Sequence, residues 1–227
     1  MAFDLDGPRV SPLAGGRPEN LVVLLHGIGA NGDDLIDLAL DWRGLAPKAE
    51  FISLNAPFAC DFAPDRLQWF SVADRTPAKL LDGARTAARI LDPTLDRLLG
   101  ERGLAADRLA LVGFSQGAMM ALHVGLRRPQ RIAGVVSFSG ALRGGEVLHA
   151  EIKAKPPILL VHGEADDVVP FASLSQAKAF LEAEGVPVTT LARRGLGHGI
   201  DAAGVAAAGN FLRKILSPAS AGGPTTA

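Results

Sequence analysis

Gly113-Phe114-Ser115-Gln116-Gly117 sets a serine between glycines two positions before and two after it. A serine hydroxyl is a weak nucleophile until a neighbouring base takes its proton, and a serine held on a sharp strand-to-helix turn is presented to that base. Such a turn brings backbone against backbone, so residues without a Cβ are needed on both sides. The flanks fit: Leu109-Ala110-Leu111-Val112 reads as a buried strand and Ala118-Met119-Met120-Ala121-Leu122 as the start of a helix. The first N–H groups of that helix would face the oxygen on which charge develops during acyl transfer. The plainer alternative is a glycine-bearing turn with an idle serine.

A base and an orienting acid are needed next. On a parallel α/β scaffold they follow the serine in the order acid, then histidine. Of the five histidines, His26 precedes the serine, His123 lies on its helix, and His149 and His162 precede the acid candidates. His198 remains, in the glycine-lined segment Gly195-Leu196-Gly197-His198-Gly199, where an imidazole can be exposed and aimed. The acid belongs to His162-Gly163-Glu164-Ala165-Asp166-Asp167-Val168-Val169-Pro170. Spacing does not separate Asp166 from Asp167, and a second aspartate has an ordinary use as a turn or capping residue.

His26-Gly27-Ile28-Gly29-Ala30-Asn31-Gly32 admits two readings. Gly27, Gly29 and Gly32 satisfy the glycine pattern of a dinucleotide-binding turn, which makes an oxidoreductase the competing function. That reading requires a carboxylate about 20 residues on, ending the second strand, where the chain has Ser53-Leu54-Asn55-Ala56-Pro57. A hydrolase instead needs a glycine-rich loop after an early strand to supply a second oxyanion N–H, which this segment offers. No His-Glu-x-x-His or paired-cysteine pattern suggests a metal, and serine chemistry needs no cofactor. A third reading keeps the fold as a non-catalytic binding module.

The elements that must position these residues alternate as in a mainly parallel sheet flanked by helices. Strands are expected at Leu21–His26, Phe51–Leu54, Leu109–Phe114, Ile132–Phe138, Ile158–His162 and Val188–Leu191. Helices are expected at Asp33–Trp42, Lys79–Leu99, Gln116–Arg127, Ser173–Glu184 and Ala202–Leu216, with Asp92-Pro93 kinking or restarting the second. Phe3–Val10 can add a short antiparallel edge piece, and Ala56–Pro77 reads as a long non-periodic connection. Only about 19 residues separate Phe138 from Ile158, too few for a large helical cap. With 227 residues, 48% hydrophobic and 21% charged, the chain suits one domain over 1–216, followed by a Pro-, Gly- and Ser-rich tail over 217–227 expected to be disordered.

Lys plus Arg number 23 against 24 Asp plus Glu, a net charge of −1 that gives no support to a nucleic-acid partner. No apolar run is long enough for stable membrane insertion. A single cysteine, Cys60, and an N-terminus without a basic-then-apolar leader point to the cytoplasm. A homodimer is compatible with this composition.

Taken together, His26-Gly27-Ile28-Gly29, Gln68-Trp69-Phe70, the Ser115 pentapeptide, Ser139-Gly140, the segment from His162 to Pro170, and Gly197-His198 resemble the phospholipase/carboxylesterase family. That family has the α/β-hydrolase fold and includes bacterial carboxylesterases and acyl-protein thioesterases. The likeness spans roughly residues 18 to 216. It implies a serine carboxylesterase acting on short to medium acyl esters, with thioester or lysophospholipid hydrolysis by the same triad as alternatives. It implies Asp166 as the acid, three residues before Val169-Pro170, with oxyanion N–H groups from Ile28 and Gln116. Trp69, Phe70 and Ile28 would line a shallow acyl groove and Leu196 would also meet substrate, although the aromatic pair could equally pin its loop to the core. Relatives commonly carry an aspartate soon after the Trp-Phe pair, where this chain has Ser71, with Asp74 later.

Overall fold

The computed structural model describes residues 5–217. The chain begins with β1 (Arg9–Val10) and β2 (Asn20–Leu25), then two short helices, α1 (Asp33–Ile36) and α2 (Leu38–Trp42), and β3 (Ala49–Leu54). A hairpin follows, β4 (Phe58–Cys60) with β5 (Ala63–Gln68), and then α3 (Pro77–Arg102), β6 (Leu109–Phe114) and α4 (Gln116–Arg127). The last third holds β7 (Gly134–Phe138), α5 (Leu148–Glu151), β8 (Ile158–Gly163), α6 (Ala172–Ala183), β9 (Val188–Arg193) and α7 (Ala202–Leu216).

Seven strands form one sheet in the order β1-β3-β2-β6-β7-β8-β9, parallel except for the antiparallel edge strand β1. Both faces are covered, which is why the central strands read as unbroken apolar runs. Leu21, Val23 and Leu25 point to the side packed by α3, α4 and α6. Val22 and Leu24 point to the side packed by α1, α2 and α7. After β2 the chain first builds outward through β3, then returns to place β6 on the other flank of β2. Ligand sites of open parallel sheets lie at such a reversal, beyond the carboxyl ends of the strands. Here that crevice falls between the loops after β2 and β6, which are the two glycine motifs.

Several local expectations need correction. The Asp92-Pro93 step does not restart the helix; α3 runs through Pro93, and Arg128, directly after α4, pairs with Asp92 and Asp96 on either side of it. The expected Asp33–Trp42 helix is two pieces joined at Asp37. The connection from Ala56 to Pro77 contains the β4–β5 hairpin, whose alternation is broken by a register shift at Ala59/Cys60. The expectation that no large cap lies between β7 and β8 needs no change, since the helical residues there are α5 and the three-residue turn Gly145–Val147. Of the edge piece expected at Phe3–Val10, Arg9–Val10 alone forms the strand β1; Phe3 and Asp4 lie outside the described residues, as does the C-terminal tail apart from Ser217.

Candidate active site

Ser115 stands at the carboxyl end of the central strand β6 with φ 53° and ψ −114°, in the positive-φ region that side chains rarely adopt. Neighbouring backbone enforces this. A Cβ on Gly117 would lie 1.9 Å from the Leu25 carbonyl oxygen, and one on Gly113 2.3 Å from that of Gly117. The elbow is thus pressed between β2 and its own helix, and Ser115 N–H is donated to Phe138 O of the adjacent strand at 2.9 Å.

His198 and Asp166 reach Ser115 from two other loops. His198 Nε2 is 3.0 Å from Ser115 Oγ, and its Nδ1 is 2.8 Å from Asp166 Oδ2. The loops are zipped by Ala165 N–H to Leu196 O (2.9 Å) and Glu164 N–H to Arg193 O (3.0 Å). Gly163 permits that approach, since a Cβ there would lie 2.2 Å from Leu196 O. Phe114 packs against the imidazole with ring centres 4.9 Å apart. Asp201 caps α7 directly after this loop, accepting from Gly204 N–H (2.8 Å) and from Arg193 (2.9 Å).

The structure separates the competing carboxylates. Asp166 is buried, whereas Glu164 and Asp167 are exposed. Asp166 Oδ1 accepts the N–H groups of Val168 (3.0 Å) and Val169 (2.8 Å), leaving Oδ2 for His198. Burial alone would raise its pKa, but the hydrogen bonds from His198, Val169 and Val168 prevail and hold the carboxyl below its ordinary value. A histidine set aside at the end of β8 joins this cluster: His162 Nε2 donates to Val169 O at 2.9 Å and lies 3.2 Å from Asp166 Oδ2. The sequence signal for it was its position four residues before Asp166 at the end of a strand.

The loop after β2 is held by His26, whose Nε2 accepts Ala56 N–H (3.0 Å) while Nδ1 faces Gly27 O (2.7 Å). Burial lowers its pKa, so the neutral ring fits both contacts. The N–H groups of Ile28 and Gln116 are given to no protein acceptor among the described residues. The third glycine of the dinucleotide-like pattern has a packing role: Gly32 N–H is donated to Asn55 Oδ1 (2.9 Å), and a Cβ there would lie 2.3 Å from Ser53 O. The helix it opens has four residues and carries Asp33 and Asp34 in its first turn, a poor seat for a pyrophosphate.

Gln116 does more than begin a helix. Its side chain accepts Trp69 N–H and donates to Phe70 O, both at 2.7 Å, clamping the segment after β5 onto the elbow. Trp69 is fully buried, its indole N–H donated to His26 O at 2.9 Å, so it supports the groove from beneath instead of lining it. Phe70 does line it, in a shallow hollow of about 130 Å³ beside Ser115 that also takes in Ile28, Phe62, Met119 and Val168. Leu196 lies outside this lining and contributes its backbone to the loop zipper. Ser71, where an aspartate is common in relatives, is held by Asp61 from the β4–β5 turn, which accepts Ser71 Oγ–H (2.8 Å) and Val72 N–H (2.9 Å). A larger hollow of about 470 Å³ between α3 and α4 includes none of these groups.

A doubly covered parallel sheet, with a serine on a strained turn at its switch point and a histidine and carboxylate brought to it by later loops, defines a hydrolase of the α/β type. Residues 12–216 match the phospholipase/carboxylesterase family, and the chain belongs to that family. A crystal structure of esterase PE8 superposes with a TM-score of 0.90 at 41% identity, covering 94% of this chain and 100% of that one. Esterase YpfH of Escherichia coli is 29% identical over 81% of this chain and 77% of its own length. Acyl-protein thioesterase 1 of Schizosaccharomyces pombe is 30% identical over 70% of this chain and 73% of its own. The protein is a serine esterase.

Proposed function

We propose that Ser115 is the nucleophile of a carboxylesterase, with His198 as its general base and Asp166 as the orienting acid. The observation that carries this reading is the unbroken chain from Ser115 Oγ through His198 to Asp166, with contacts of 3.0 and 2.8 Å. His198 removes the Ser115 proton as the oxygen attacks the acyl carbonyl, and the N–H groups of Ile28 and Gln116 receive the oxyanion. His198 then protonates the departing alcohol, leaving an acyl-enzyme. Water, deprotonated by the same imidazole, releases the acid, while Asp166 stays ionised and keeps the Nδ1 proton in place. No metal or organic cofactor enters these steps.

The shallow, uncapped groove favours esters of short to medium acyl chains, a small-molecule class of substrate. The identity to a fission-yeast acyl-protein thioesterase favours an acyl thioester as the second reading, attacked in the same way. No helix among the described residues is long and apolar enough to cross a membrane, and the single, buried thiol of Cys60 supports a cytoplasmic location. The test is Ser115→Ala, expected to lower hydrolysis of 4-nitrophenyl esters by about 10⁴-fold or more with the fold intact. A fluorophosphonate should label the wild type at Ser115. Normal turnover by the folded variant, or labelling elsewhere, refutes the assignment.

A further inference from the structure

Two arginines line the groove beside Ser115 and neither meets an acid. Arg143, in the segment after β7, is half-buried, and its Nε–H is directed at Met119 Sδ at 3.3 Å, a weak acceptor. Arg75, in the exposed segment before α3, lines the same hollow. No carboxylate pairs with either guanidinium among the described residues. The contrast with other arginines that are half-buried or buried is clear: Arg102 pairs with Glu50 at 2.7 Å, Arg127 with Glu151 at 2.6 Å, and Arg128 with Asp92 and Asp96. A cation partly withdrawn from water without a partner is destabilised, and an anionic ligand would supply the missing charge. Burial, with nothing opposing it, depresses the Arg143 pKa.

We propose that this esterase prefers esters whose acyl part carries an anionic group at its far end, a carboxylate or a phosphonate, and that Arg143 recognises it. The proposal rests on Ser115 as the reacting centre described above. Met119, which Arg143 touches, lies one helical turn beyond Ser115 on α4, about 6 Å along the axis. A charge some four to six carbons from the scissile carbonyl therefore reaches the guanidinium, while Ile28, Phe70 and Val168 cover the intervening chain. The planar fork of Arg143 suits two-point binding of either anion, and Arg75 adds positive potential at the rim.

The experiment compares kcat/KM for the 4-nitrophenyl monoester of adipic acid and for 4-nitrophenyl hexanoate, taken as a ratio for each protein. Arg143→Gln should lower the anionic-to-neutral ratio by about 10- to 100-fold, mainly through KM, as loss of one charge-assisted contact implies. Arg143→Lys should restore part of it, and added NaCl should erode the wild-type preference. A purely structural role for Arg143 would change both esters alike and leave the ratio fixed, which overturns the proposal. A second arm does not depend on turnover: calorimetry of adipate, hexylphosphonate and hexanol against Ser115→Ala, with and without Arg143→Gln. At least tenfold weaker binding of either anion in the double variant supports the proposal, and the anion affected identifies the headgroup. Equal affinities overturn it whatever the fate of Ser115.

Discussion

Replacing Asp166 by asparagine exchanges a two-oxygen acceptor for one oxygen and one NH₂ donor, and the surroundings fix which way that amide turns. Oδ1 takes the N–H groups of Val168 and Val169, so the amide oxygen must stay there. Turning the NH₂ toward those two donors would leave buried groups unsatisfied, at about 1–3 kcal/mol each. The NH₂ therefore faces His198 Nδ1, which must become an acceptor, and the ring proton moves to Nε2, the nitrogen that faces Ser115 Oγ. A protonated Nε2 cannot take the serine proton. The same exchange in a serine protease lowers kcat by about 10⁴, equivalent to about 5.4 kcal/mol in barrier height. Asp167, one residue on, is exposed and makes no contact with His198, so Asp167→Asn should stay within about twofold of wild type, as surface exchanges usually do. Steady-state hydrolysis of 4-nitrophenyl butyrate by both variants, each shown folded by circular dichroism, provides the comparison. An Asp166→Asn enzyme within tenfold of wild type, or one less damaged than Asp167→Asn, would refute the tautomer argument.

Gln116→Ala keeps the backbone N–H proposed to receive the oxyanion but strands Trp69 N–H and Phe70 O, so it should lose about 1–3 kcal/mol of stability for each and raise KM as Phe70 loosens; unchanged melting and KM would show that the clamp is idle. Gly117→Ala drives a Cβ into Leu25 O and should destabilise by more than about 4 kcal/mol. Gly100→Ala, in the last turn of α3 with open space around it, should instead stabilise by about 0.5–1 kcal/mol; equal unfolding midpoints in urea for the two would contradict the packing. Asp201→Ala removes the α7 cap and should lower Tm by about 2–4 °C at pH 7, for a loss near 1 kcal/mol. The Gly204 N–H, assisted by Arg193 and outweighing burial, holds the Asp201 pKa below its unfolded value near 4, so its stabilisation is present above about pH 4 and fades as pH falls through the folded pKa. The Tm gap between wild type and variant should close in that acid range, and a gap independent of pH would contradict the linkage.

Ser115, its glycines, the strand before it and the helix after it were legible because they are neighbours in the chain and obey one local constraint: a backbone turn that only residues without a Cβ can flank. The apolar runs gave the parallel sheet for a similar reason, since strands covered on both faces have no polar side to show. Chain order then left His198 by elimination. Asp166 over Asp167 was different: adjacent residues have the same composition and spacing, and the choice came from two backbone N–H groups and a histidine 32 residues away. The β4–β5 hairpin hid behind a broken alternation, and the burial of Trp69 depends on His26, 43 residues earlier. Gln116 reads in sequence as the first residue of a helix, yet its side chain answers to a segment 47 residues upstream. Backbone turns are fixed by residues that touch along the chain, whereas the direction of a side chain is fixed by whatever the fold brings beside it, and only the tertiary structure holds that information.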